Sequence, residues 1–144
     1  MNRRWIIWLI WLTMVVTAKA QSGLYVNQVF EGLVIPKNEM VETRVKGRML
    51  SKYQLSFFRS LRFAVSEERI QQVRQLVDND RRQAADCNNW QQQTGKGKTT
   101  IMIQLPPKDG QNRFLCFKQH LKEVTLVYME GRLSSLEKLK EILN

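Results

Sequence analysis

Apolar side chains fall into two periods along this chain. From Tyr53 to Val65 they come at every second residue. Tyr53, Leu55, Phe57, Leu61, Phe63 and Val65 take odd positions, Gln54, Ser56, Ser60 and Arg62 lie between them, and Phe58 and Arg59 are the exceptions. Successive side chains of a strand point to opposite faces, so this spacing predicts one strand with a single buried face. The period then changes: Ile70, Val73, Leu76 and Val77 recur at helical spacing among Arg69, Gln72, Arg74 and Gln75. Ser66 suits an N-cap, and Glu67 and Glu68 sit where the positive end of a helix dipole favours carboxylates. The pattern predicts a helix from Glu67 to about Asn79.

The flanks extend this mixed pattern. Leu24 to Phe30 fits a brief helix as well as a strand, and Pro36-Lys37-Asn38 reads as a turn. Val41, Thr43 and Val45 alternate with Glu42, Arg44 and Lys46 up to Gly47, which predicts a half-buried strand. Between Asp80 and Lys98 the signal fades, and Asn88, Asn89, Gln91, Gln92, Gln93, Gly95 and Gly97 read as a polar loop. Three strands follow. Thr99, Ile101, Ile103 and Leu105 share a face, Asp109-Gly110 suits a tight hairpin turn, and Phe114 to Phe117 is apolar on both faces. Val124 to Met129 is also apolar on both sides, which places it centrally in a sheet, and Gly131 stops it. Ser134 and Glu137 have the spacing of a capping box, ahead of a helix with Leu136, Leu139, Ile142 and Leu143 as its stripe. The expected architecture is α+β: a single domain with a mostly antiparallel sheet of about five strands and two amphipathic helices packed on one face.

The N-terminus changes what is expected of the rest. Arg3 and Arg4 precede an apolar run of 12 residues, Trp5 to Val16, and then Ala18-Lys19-Ala20. A positive start, a short apolar stretch and an A-x-A site, in that order, describe a secretory signal peptide. The run is shorter than the roughly 20 residues that a spanning helix needs. Residues 1–20 are therefore read as a signal and 21–144 as one domain, with periplasmic or secreted localisation and no transmembrane span after removal of the signal. Loss of Arg3, Arg4 and Lys19 lowers the formal charge from +10 to +7.

Candidate chemistry is sparse. In an oxidising compartment Cys87 and Cys116 are either one disulfide or two separate thiols, and two cysteines cannot by themselves make a structural zinc site. Gly97-Lys98-Thr99 imitates the end of a phosphate loop, but Gln92 stands where the required glycine belongs and a strand follows where a helix should. No nucleotide, metal or other cofactor is expected. His120 is the sole histidine, and no nucleophile stands beside it in a recognisable triad order. Arg44, Lys46 and Arg48 would share one strand face and offer it to a polyanion.

Several segments carry a family likeness. Val29-Phe30-Glu31-Gly32, Val45-Lys46-Gly47-Arg48-Met49-Leu50, the stretch from Tyr53 to Ser60, and Val124 to Gly131 before a Leu-Glu-Lys-Leu helix together cover nearly all of the chain after the signal. In these the chain resembles a family of small exported proteins of unknown function from Bacteroides-type bacteria. The resemblance implies a Gram-negative envelope setting and brings no catalytic or binding residue with it. The expected function is a small, exported, non-enzymatic domain binding a protein or envelope component. The alternatives are a basic module for lipopolysaccharide, acidic glycan or nucleic acid, and an unrecognised enzyme. Cleavage is expected after Ala20, so intact-mass measurement of exported protein should show a chain starting at Gln21. A mass that retains Met1 would refute that reading.

Overall fold

The computed structural model describes residues 23–83 and 90–143. The segment read as a signal and Cys87 lie outside them. Six strands form one antiparallel sheet: β1 (Met40–Lys46), β2 (Leu55–Ala64), β3 (Trp90–Gly95), β4 (Lys98–Lys108), β5 (Gln111–His120) and β6 (Glu123–Gly131). Among the described residues four α-helices accompany it: α1 (Asn27–Phe30), α2 (Arg48–Ser51), α3 (Glu67–Gln83) and α4 (Leu136–Leu143). The strand order is β1-β2-β6-β5-β4-β3, so a meander of four strands meets a separate hairpin along β2 and β6. The fold is α+β, as the periodicity implied. No described helix is long and apolar enough to cross a membrane.

The sixth strand is β3, in the segment read as a polar loop. Its residues pair with β4 in unbroken register from Trp90↔Ile103 to Gly95↔Lys98. The strand lies at the sheet edge and is largely exposed, so no apolar alternation marks it. Its turn falls at Lys96 and Gly97, both in the left-handed region.

The helices occupy opposite faces of the sheet, which corrects the expectation of one covered face. Ile70, Val73 and Val77 of α3 pack with Leu61, Phe63, Ile101, Ile103, Leu115, Phe117, Leu126 and Tyr128. Leu136 and Leu139 of α4 pack with Met102, Phe114, Cys116, Val127 and Met129, whose side chains point the other way. The physical reason is visible in β5 and β6. Both strands are apolar on both sides, and each side needs its own cover.

The odd-position run around β2 holds only in part. Phe57, Leu61 and Phe63 face α3, with Val65 packed beside them. A register irregularity between Leu55 and Phe57 sends Leu55 to the α4 side, and Tyr53 lies before the strand, partly exposed. The helix starts differ by little. The Ser66 hydroxyl accepts the Arg69 N–H at 3.5 Å, as expected, and α3 runs on to Gln83. In α4 it is the Ser135 hydroxyl that accepts an N–H, from Lys138 at 3.3 Å, one residue later than the predicted Ser134 cap.

Two buried charges fasten the N-terminal segment over the α3 face. Asp80 is 1% exposed, and its carboxylate accepts the N–H groups of Tyr25 (2.7 Å) and Val26 (2.9 Å) at the entry to α1. Arg59 is buried beneath Phe30, donating to its carbonyl at 3.1 Å, and it also hydrogen-bonds Glu42. Burial pushes the Glu42 carboxyl up, but the Arg59 hydrogen bond and charge, joined by Arg44, bring it below its ordinary value overall. For Asp80 burial prevails. Its carboxyl lies above the ordinary 3.8 despite the two N–H groups and Arg113.

A carboxyl raised by folding favours the fold most below its unfolded value, and that contribution is lost as pH rises through the folded one. Asp80→Asn should therefore gain stability relative to wild type as pH rises from below 4 toward neutrality. Asp80→Ala, which strands two buried N–H groups, should cost roughly 2–5 kcal/mol. Urea unfolding of the three proteins across pH checks both, and a pH-independent gap between wild type and Asp80→Asn would count against a buried carboxylate.

Candidate functional site

The structure does not bring Arg44, Lys46 and Arg48 onto one strand face. Gly47 adopts φ 91°, which turns the chain out of β1, and Arg48 starts α2 instead. Arg44 and Lys46 do share the α3 side of β1, each with a neighbour. The Arg44 guanidinium stands 3.5 Å from Glu42, and the Lys46 ammonium lies 5.7 Å above the Phe57 ring.

A second basic cluster forms on the other face, and strand register builds it. One row crosses all six strands on the α4 side: Val41, Arg62, Thr125, Lys118, Thr100 and Gln93. The next row toward the β5–β6 turn holds Glu123, His120 and Lys98. The row on the other side holds Val127, Cys116 and Met102, which α4 covers. The surface thus changes from apolar to polar within one pair spacing, where α4 stops. Lys140, on the last turns of α4, reaches over the boundary.

The result is a concavity of about 390 Å³ lined by Lys98, Lys118, Lys140, His120, Thr100, Thr125, Gln91 and Gln93. Glu123 is the one carboxylate in its lining, and Arg62 holds it at 3.2 Å. None of the three lysines forms an ion pair among the described residues. Ammonium groups converging on a recess focus positive potential there, and hydroxyl and amide groups beside them supply neutral hydrogen bonds. The arrangement suits an anion bearing further polar groups. No cluster of three or more His, Cys, Asp or Glu able to hold a metal occurs among the described residues.

The remaining candidates take ordinary places. The Gly-Lys-Thr segment is the β3–β4 turn and the first residues of β4, with no helix after it. His120 faces Glu123 across the β5–β6 pair, at the rim of the recess. The single Ser56 O–H can be donated either to the Gln111 side-chain oxygen at 3.0 Å or to the Glu130 carbonyl at 3.2 Å.

Sequence reasoning passed over a buried polar group on the α3 face. Tyr128 donates to the Glu130 carboxylate at 2.6 Å, and burial, then Glu130 itself, pushes its hydroxyl far above the usual range. Arg113, beside it, donates to the Pro106 carbonyl at 2.8 Å. These groups occupy a packed core, so they brace the sheet. Asp80 was visible in principle: positions 70, 73, 77 and 80 continue one helical stripe, and an acid on that stripe has to be buried.

Comparison with known proteins adds a family and no activity. The model of a family of unknown function, DUF6108, matches residues 13–143. No curated protein and no solved structure matches the chain.

Cys116 is fully buried beneath α4, and burial pushes its thiol up to about 11, with Lys118 pulling weakly the other way. Its partner in the candidate disulfide, Cys87, lies outside the described residues. Cys116 should therefore resist thiol reagents at neutral pH until the protein unfolds. Peptide mapping after labelling reads this directly. Unfolding without reductant then separates the two readings, since a bridged Cys116 would stay unlabelled there, while fast labelling in native buffer would contradict its burial.

Proposed function

The chain belongs to the DUF6108 family of unknown function, and from its own geometry we propose a non-enzymatic, exported binding module that holds an anionic component of a Gram-negative, Bacteroides-type envelope. The observation that carries the binding reading is the recess where Lys98, Lys118 and Lys140 converge without ion-pair partners among the described residues. Export is supported by Arg3, Arg4, the apolar run to Val16 and the Ala18-Lys19-Ala20 site. Charge and hydrogen-bonding groups gather in the recess, which supports a binding role.

A protein partner is the second reading, and one observation favours it. The outer edge of β3 runs Gln91-Gln92-Gln93-Thr94 with no charge and no proline, so its backbone groups are open to pairing with another strand. Salt separates the two readings, because strand pairing is far less sensitive to ionic strength than neutralisation of an anion.

Binding of a soluble polyphosphate should weaken steeply with salt. Replacing Lys98, Lys118 and Lys140 together by Gln should flatten the log–log salt slope by about 2–3. Arg44→Gln with Lys46→Gln, on the opposite face, should change it little. Titration at several salt concentrations tests this, and a triple variant with the wild-type slope would sink the recess as the binding site.

A further inference from the structure

Two turns end the sheet beside the recess. The β3–β4 turn carries Lys96 and leads to Lys98, and the β5–β6 turn carries Leu121 and Lys122. Lys98 and His120 are register partners, so the turns stand at the same end of the sheet, about 10 Å apart by strand spacing. Lys96, Lys98 and Lys122 are exposed, and the recess lysine Lys118 stands behind them. Glu123, the acid nearest in sequence, is engaged by Arg62.

Leu121 is out of character in this setting. It is 70% exposed and holds φ 56°, a left-handed conformation in which a side chain crowds its own backbone. The other non-glycine residues with positive φ among those described, Gln54, Lys96 and Asp109, are all polar. Asparagine or glycine would relieve the strain and remove the apolar exposure at once. The turn is nevertheless firmly held. Lys122 accepts the Val65 N–H through its carbonyl at 3.2 Å, and Leu121 accepts the Gln119 side-chain N–H at 3.3 Å. A strained, exposed leucine on a rigid tip flanked by lysines indicates that something outside the chain receives it.

We propose that this end of the sheet docks on the surface of an anionic phospholipid bilayer, with Leu121 entering the acyl boundary and Lys96, Lys98 and Lys122 lying among the headgroup phosphates. Charge complementarity selects the occupant: anionic lipid offers phosphates to the lysines and hydrocarbon to the leucine, which a soluble polyanion lacks. The inference rests on the anion-binding reading of the adjacent recess and gives its ligand a lipid source.

The test uses the protein as the cell processes it, co-sedimented with vesicles of phosphatidylcholine alone or mixed with phosphatidylglycerol, beside titration with soluble polyphosphate. Wild type should bind the mixed vesicles and not the neutral ones. Leu121→Asn should melt at a higher temperature than wild type, because the turn relaxes, yet bind mixed vesicles about tenfold more weakly with polyphosphate affinity unchanged. Lys96→Gln and Lys122→Gln should each weaken vesicle binding roughly fivefold. Met49→Ser, which removes an apolar side chain exposed at the other end of the sheet, should bind like wild type. Wild-type vesicle affinity in Leu121→Asn, or polyphosphate binding without vesicle binding, would overturn the lipid assignment alone. Failure to bind either ligand would overturn the anion-binding reading with it.

Discussion

The length of α4 limits the molecule. Eight helical residues cover about 12 Å, while a ten-residue strand such as β5 extends for roughly 33 Å. On the opposite face α3, with 17 residues, has twice that reach, and the N-terminal segment closes what it leaves. Among the described residues the middle strands are thereby buried on one side along most of their length, and on the other only beneath α4. An uncovered sheet surface has to be polar to remain in water, and rows such as Lys118, Thr100 and Thr125 meet that requirement. The recess is the margin of an incomplete hydrophobic layer, and Lys140 is positioned because the covering helix ends there.

Much of this was legible in the sequence, and the omissions have definite causes. Period two in β4 and period 3.6 in α3 marked those elements, because burial on one side imposes the pattern, while β6 was marked by an apolar run on both sides. The edge strand β3 escaped notice because it is stabilised mainly by backbone pairing, which leaves little trace in a run of glutamines. Helix periodicity shows that a stripe is buried and is silent on which side of a sheet buries it. The clue lay in the strands: Phe114 to Phe117 is apolar in both directions, and a single covered face cannot satisfy it. The site was still less visible. Lys98, Lys118 and Lys140 lie on three elements, and only register and the end of α4 bring them together. Arg44, Lys46 and Arg48 stand at alternate positions in sequence, yet Gly47 at positive φ takes Arg48 out of the strand face that the other two share.

Buried charge in this protein serves attachment. Asp80 and Arg59 each reach main-chain groups of the N-terminal segment, where the N–H groups of Tyr25 and Val26 precede the backbone bonds that begin at Asn27. Satisfying those amides and that carbonyl from side chains lets a short, irregular stretch lie over the core without stranded polar groups. It also lets Val26, Val29, Phe30 and Ile35 complete the apolar layer that α3 begins.

Strand order has a consequence for how the chain is made. Leu61 of β2 pairs with Leu126 of β6, about 65 positions later, so β2 leaves the ribosome long before its inner neighbour exists. At ordinary synthesis speeds that interval lasts roughly 3–13 s. Through it the aromatic run Phe57, Phe58 and Phe63 has only β1 for company along one edge. Arg59 and Arg62 interrupt that run, and charge inside an aromatic strand disfavours wrong pairing between unfinished chains.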